Sequence, residues 1–217
     1  MSQKCVYGGK RKGERECPAL GGMICSRCCG EHRGVEINCP PDCRYFKKHE
    51  EFQQSKHAES YRQTWAEENQ DLLEEENRKL IEAIGVLETL IYYRYRDDTR
   101  LTDKKVIDGL KGLENKFKTI ELPGSTSEFT EFAHEELKPL LEKGRFSREL
   151  LKNAASRLIT IAEDYSDDSR QLVQGIVGRI KEDYDLPGDE SGDRTEKIES
   201  LITTPGQINQ GQSGPNR

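Results

Sequence analysis

A chain of 217 residues has room for one ordinary domain with a small module beside it. Charged residues reach 34% and hydrophobic ones only 33%, which suits slender helices with wide solvated faces and argues against a thick sheet core; no apolar run approaches the roughly 18 residues of a membrane span. The net charge of −6 is uneven: residues 1–50 hold ten Lys and Arg against six Asp and Glu, a balance of +4, and the remainder carries −10. Four thiolates on one Zn²⁺ would bring the N-terminal +4 to about +2, and two zincs on seven thiolates and a neutral His to about +1, so a nucleic-acid footprint there is allowed but not compelled.

The start, MSQKCVYGGKRKGERE, lacks the apolar core of a secretory signal. A cytoplasmic setting is therefore expected, where thiols stay reduced and clustered cysteines read as metal ligands or redox groups rather than disulfides. Residues 1–16 place Lys4, Lys10, Arg11, Lys12 and Arg15 around Gly8, Gly9 and Gly13. They read as a flexible arm tethered by Cys5 or, in the sharper reading, as an arm that contacts phosphates.

All seven cysteines lie between Cys5 and Cys43, and none follows. Cys25-Ser-Arg-Cys28 is a CxxC pair, and Cys39-Pro-Pro-Asp-Cys43 a wider one whose two prolines keep the intervening backbone out of a helix. This pattern is that of a zinc ribbon or knuckle. The simplest site is Cys25, Cys28, Cys39 and Cys43. Cys5, Cys17, Cys29 and His32 then supply a second set of four, and a two-zinc cluster bridged among Cys17, Cys25, Cys28, Cys29, Cys39 and Cys43 is the other arrangement. One zinc and two zincs are both open at this point. An iron–sulfur cluster is the competing metal reading, but the ferredoxin run C-x2-C-x2-C-x3-C-P is absent. Because thiolates alone fill four positions, a structural metal is expected rather than a catalytic one, which needs an open position.

The run CPALGGMICSRCCGEHRGVEINCPPDCRYF, residues 17–46, resembles the N-terminal signature of a family of uncharacterised bacterial proteins, CPA…ICSxCCG…EIxCPxDCxYL. RYRDDTRLTDKKVIDGLKGLENKFKTIE resembles the helical part of the same family. The resemblance implies a Cys-rich metal-binding module followed by helices, and no particular activity.

From about Tyr45 the pattern turns helical. Residues 47–71 are polar, with His49, Phe52, Tyr61 and Trp65 as scattered anchors, and read as a helix leaving the module. Leu73, Leu80, Ile84, Leu87, Ile91 and Tyr95 form one apolar stripe, which could continue that helix into a single long arm. Its end, Tyr92-Tyr93-Arg94-Tyr95-Arg96, is read as packing in preference to a nucleic-acid surface. Thr102 is a good N-cap for Val106, Leu110, Leu113, Phe117 and Ile120, a helix stopped by Leu122-Pro-Gly124. Ser125-x-x-Glu128 reads as a capping box before Phe129, Ala133, Leu137 and Leu140, with Pro139 bending or splitting the helix. His134-Glu135-Glu136 lacks the second His of HExxH and reads as a solvated face.

Ser147 caps a helix with Leu151, Ala155, Leu158, Ala162 and Tyr165. The last helix runs from about Ser169 to Tyr184, and its Gly175-Ile-Val-Gly178 reads as close helix packing rather than a nucleic-acid GxxG loop. Residues 187–217 read as a disordered tail. The expectation is thus a mainly α protein: a Cys-rich metal-binding module over 1–46, an α-helical domain over 47–186 and the tail. With no catalytic constellation in view, a non-enzymatic zinc-binding scaffold that engages an unknown protein partner is expected. A nucleic-acid-binding regulator using Lys10, Arg11, Lys12, Arg15, Arg27, Arg33 and Arg44 is the alternative, and a redox sensor using Cys5 or Cys29 the third reading.

Overall fold

Short apolar runs broken by glycine build the N-terminal module, and four-residue apolar spacings build the rest. The computed structural model describes residues 3–74, 77–118, 126–165 and 170–183. The expected tail, the Leu122-Pro-Gly124 stop and Ser125 fall outside the described residues. Strand β1 (Arg15–Cys17) pairs antiparallel with β2 (Gly22–Ile24), Cys17 opposite Gly22. Gly21, at φ 64°, turns the chain between them.

The expected flexible arm is instead folded. Cys5 N–H donates to the Arg11 carbonyl, Val6 N–H to the Met23 carbonyl and Gly13 N–H to the Gln3 carbonyl. Residues 3–14 thereby lie on β2 as a further hairpin. Gly13 is required for this approach, since a Cβ there would lie 2.5 Å from that of Met23.

A short helix, α1 (Ser26–His32), follows β2 directly. After the Pro40–Pro41 turn, α2 (Arg44–Glu68) begins at the residue after Cys43, so the module and the longest helix share backbone. The chain does not continue as one long arm. It stops at Asn69, whose backbone and side-chain N–H groups both donate to the Trp65 carbonyl, makes the single turn α3 (Gln70–Glu74), and restarts at Asn77, the N-cap of α4 (Arg78–Asp97). Thr102 caps α5 (Asp103–Lys116) as expected. Helix α6 (Glu128–Glu142) is capped by Ser127, two residues later than the spacing suggested, and runs through Pro139 without a break. Ser147 accepts from Leu150 N–H at the start of α7 (Arg148–Tyr165). The last described helix is α8 (Gln171–Asp183).

Helix α4 is the centre of the helical domain. It is buried on almost every side and packs on α7, α8 and α6, while α5 lies against α7 and α6. Tyr92, Tyr93 and Tyr95 are all buried, so this aromatic cluster serves packing. Helix α2 lies along α8 through the two glycines. A Cβ on Gly178 would meet the Gln54 carbonyl oxygen at 2.3 Å, and one on Gly175 the Tyr61 Cβ at 2.8 Å. Two buried carboxylates lock this seam. Glu50 accepts from Tyr95 Oη (2.5 Å), Gln174 Nε2 (2.5 Å) and Arg170 Nη2 (3.0 Å). Glu88 accepts from Tyr61 Oη (2.5 Å) and from Arg179 Nη1 (2.7 and 2.8 Å). A buried carboxylate is tolerable only with such a full set of donors. Among the described residues, no helix is long and apolar enough to cross a membrane.

Candidate metal centre

The hairpin of residues 3–14 carries Cys5 over the start of α1, where Cys25 and Cys28 stand one turn apart. The three sulfurs lie within 4.8 Å of one another. Cys25 is the N-cap of α1, and its Sγ accepts from Cys28 N–H at 3.4 Å. Cys5 Sγ accepts from Gly8 N–H, also at 3.4 Å. Gly8 lets the backbone pass this close, since a Cβ there would sit 3.0 Å from Cys28 Sγ. Such N–H donors spread the negative charge of thiolates, as a bound cation also would.

The Cys5 and Cys28 thiols shift in opposite directions. The backbone N–H groups of Cys25 and then Gly8 hold the Cys5 thiol down to about 6. Hydrogen bonding to Cys25, followed by burial, pushes Cys28 up to about 11. The raised Cys28 thiol thus stands beside the lowered Cys5 thiol, and a cation favours loss of the Cys28 proton. Tetrahedral zinc thiolates at about 2.3 Å place their sulfurs about 3.8 Å apart. A contraction of about 1 Å or less brings the triad to that spacing. The donor set fits a soft or borderline metal ion.

His32 lies one turn after Cys28 but is not part of the triad. Its Nδ1 is 3.0 Å from Glu36 Oε1 and its ring lies 4.5 Å from that of Tyr7. Tyr7 also donates to Glu36, which holds that carboxyl below its usual range and the Tyr7 hydroxyl above its own. Tyr7, His32 and Glu36 thus form a bonded set beside the sulfurs.

The remaining cysteines gather elsewhere. Cys17 at the end of β1, Cys29 on α1, and Cys39 and Cys43 on either side of the proline turn line one small cavity with Ile24, Ile37 and Phe46. Cys25 and Cys28 thus stand with Cys5, while Cys39 and Cys43 line the cavity with Cys17 and Cys29. Thr99 Oγ1, in the loop between α4 and α5, donates to the Cys39 carbonyl at 3.1 Å and ties this side of the module to the helical domain.

Three of the basic residues singled out in the sequence, Arg15, Arg33 and Arg44, meet in a groove beside the module, and sequence reading missed the part that Tyr45, Lys48, His49 and Phe52 add to it. Arg15, Arg33, Arg44, Lys48, His49, Tyr45 and Phe52 line about 540 Å³ of open space. The Arg15 guanidinium lies 4.7 Å from the Tyr45 ring centre and that of Arg44 5.3 Å. The signal was present in α2, where Arg44 and Lys48, and Tyr45, His49 and Phe52, recur at three- and four-residue steps. Of the other basic residues singled out, Arg27 pairs with Glu31 on α1 at 2.7 Å, and Lys10, Arg11 and Lys12 are exposed on the hairpin. Comparison of the chain with protein-family models, curated proteins and solved structures returns no match.

Proposed function

We propose that the module binds zinc at Cys5, Cys25 and Cys28, which supply three of the four positions of a tetrahedral ion, and that it acts as a non-enzymatic protein-interaction knob on a helical scaffold in the cytoplasm. The thiolate donors support zinc over harder cations. The proposal includes kinship with the bacterial family whose cysteine signature residues 17–46 resemble. One observation carries the binding role. Of six large apolar side chains exposed among the described residues, Val6, Tyr7, Leu20 and Val35 are on the module and Phe52 is on the adjoining part of α2. Five of the six falling on or beside one small module is what a binding surface there would present.

The test is co-purification of the full chain from its own cell, compared with a Val35→Glu/Phe52→Glu variant. A protein recovered in constant proportion with the native chain, and lost with the variant while zinc content holds, is the expected result. Recovery of the same proteins by both forms contradicts the reading.

A second reading, nucleic-acid binding, is favoured by the Arg15, Arg33, Arg44 and Lys48 groove with its two aromatic rings. It requires binding of single-stranded DNA or RNA that weakens steeply with salt. Absence of binding at low salt rules it out.

A further inference from the structure

We propose that Cys17, Cys29, Cys39 and Cys43 form a second metal site, a closed four-thiolate zinc centre separate from the Cys5, Cys25 and Cys28 site. The inference rests on the reading of the module as metal-binding and adds to it a second ion with its own ligands.

The four side chains come from four different pieces of chain: the end of β1, the middle of α1, the loop after α1 and the start of α2. They converge on one cavity of about 10 Å³. That is about the space of a single small sphere. Natural cores close such voids with apolar atoms; here the four cysteines line it together with Ile24, Ile37 and Phe46 and with Glu16, Arg33 and Tyr45 at its margin. Cys17, Cys29 and Cys39 are buried and Cys43 is half-buried, so the cavity is largely shielded from water. The four sulfurs do not meet as closely as the triad, and the ion would draw them in.

Helix geometry explains why adjacent cysteines serve different sites. Cys25 at the N-cap and Cys28 three residues on share one side of α1. Cys29, one residue or about 100° further round, faces another side. The apolar content of this half of the module is Ile24, Ile37 and Phe46, too little to hold some forty residues without a cross-link. Zinc supplies one: each thiol gives its proton to solvent as a Zn–S bond forms, with no change of oxidation state. The fourth bond fills the tetrahedron, so the site is structural. Cys43 adjoins α2, and Thr99 holds the Cys39 carbonyl, so this ion would fix the angle at which the module leaves the helical domain.

The experiment is ¹¹³Cd NMR on the full chain after zinc exchange, with cadmium counted by native mass spectrometry. Two ions and two resonances are expected, one in the all-sulfur region and one shifted toward mixed ligation. Cys39→His keeps four ligands and should move the all-sulfur resonance alone, with two ions still bound. Cys28→Ser should abolish the other alone. One ion, lost in Cys28→Ser and indifferent to Cys39→His, overturns the second site and leaves the triad reading intact. Movement of both resonances by Cys39→His overturns the separation into two sites. No bound ion in the native chain defeats both readings.

Discussion

At the scale of single residues, the chemistry of the triad is set by which sulfur the backbone serves. Cys5 is held near 6 by N–H donors, and Cys28 is raised to about 11 by its neighbour and by burial. Metal binding must expel the proton from Cys28 at any pH below about 11, whereas Cys5 contributes a proton only below about 6. Affinity therefore falls as pH falls, and the slope steepens once Cys5 begins to protonate. Competition with a chromogenic chelator from about pH 5 to about pH 8 measures both slopes. A pH-independent affinity would show that thiolates are not the ligands. Cys28→Ser should lower the zinc content and expose residues 3–43 to protease, while the helical signal in circular dichroism persists. Unchanged protease resistance of that segment contradicts a structural ion.

At the scale of elements, the seam between α2 and α8 is the most exacting contact in the helical domain. Gly178→Ala forces a methyl against the Gln54 backbone carbonyl at 2.3 Å, an atom that cannot swing aside. It should cost about 1–3 kcal/mol in urea unfolding. The first turn of helix α8 is capped from another element: the buried Asp103, first residue of α5, accepts from Leu172 N–H and Val173 N–H at 3.0 Å each. Asp103→Ala should cost about 1–2 kcal/mol by the same measurement, and a neutral result would remove this cap from the account of α8.

The stripes of α4 to α8 were readable in the sequence because their buried positions are apolar at helical spacing. Helix α2 was expected over residues 47–71, but its buried face was only partly readable, because that face includes Glu50 and Gln54, which look solvated until Tyr95, Arg170 and Gln174 are seen to meet Glu50. The Cys-rich module was readable as a cluster of thiols. Its grouping was hidden because Cys28 and Cys29 are neighbours in sequence but not on the surface of a helix, and because Cys5 arrives through a hairpin that looked like a loose arm.

At the scale of the whole molecule, the described residues form two separate buried clusters of different kinds. The helical domain has a continuous apolar interior centred on α4. The module has cysteines where a larger domain would have leucines. A strong chelator should therefore unfold the module and leave the main thermal transition nearly unchanged, read by calorimetry with and without chelator. A single transition that shifts as one would mean the two parts fold together.

The central claim is that the cysteines of residues 5–43 hold zinc. Native mass spectrometry with elemental analysis, on untagged protein purified without oxygen, tests it most directly. The expected result is bound zinc, one ion at the triad and a second if the four-thiol site fills, released only with acid or chelator. Iron in its place, or seven free thiols with no metal, would contradict it.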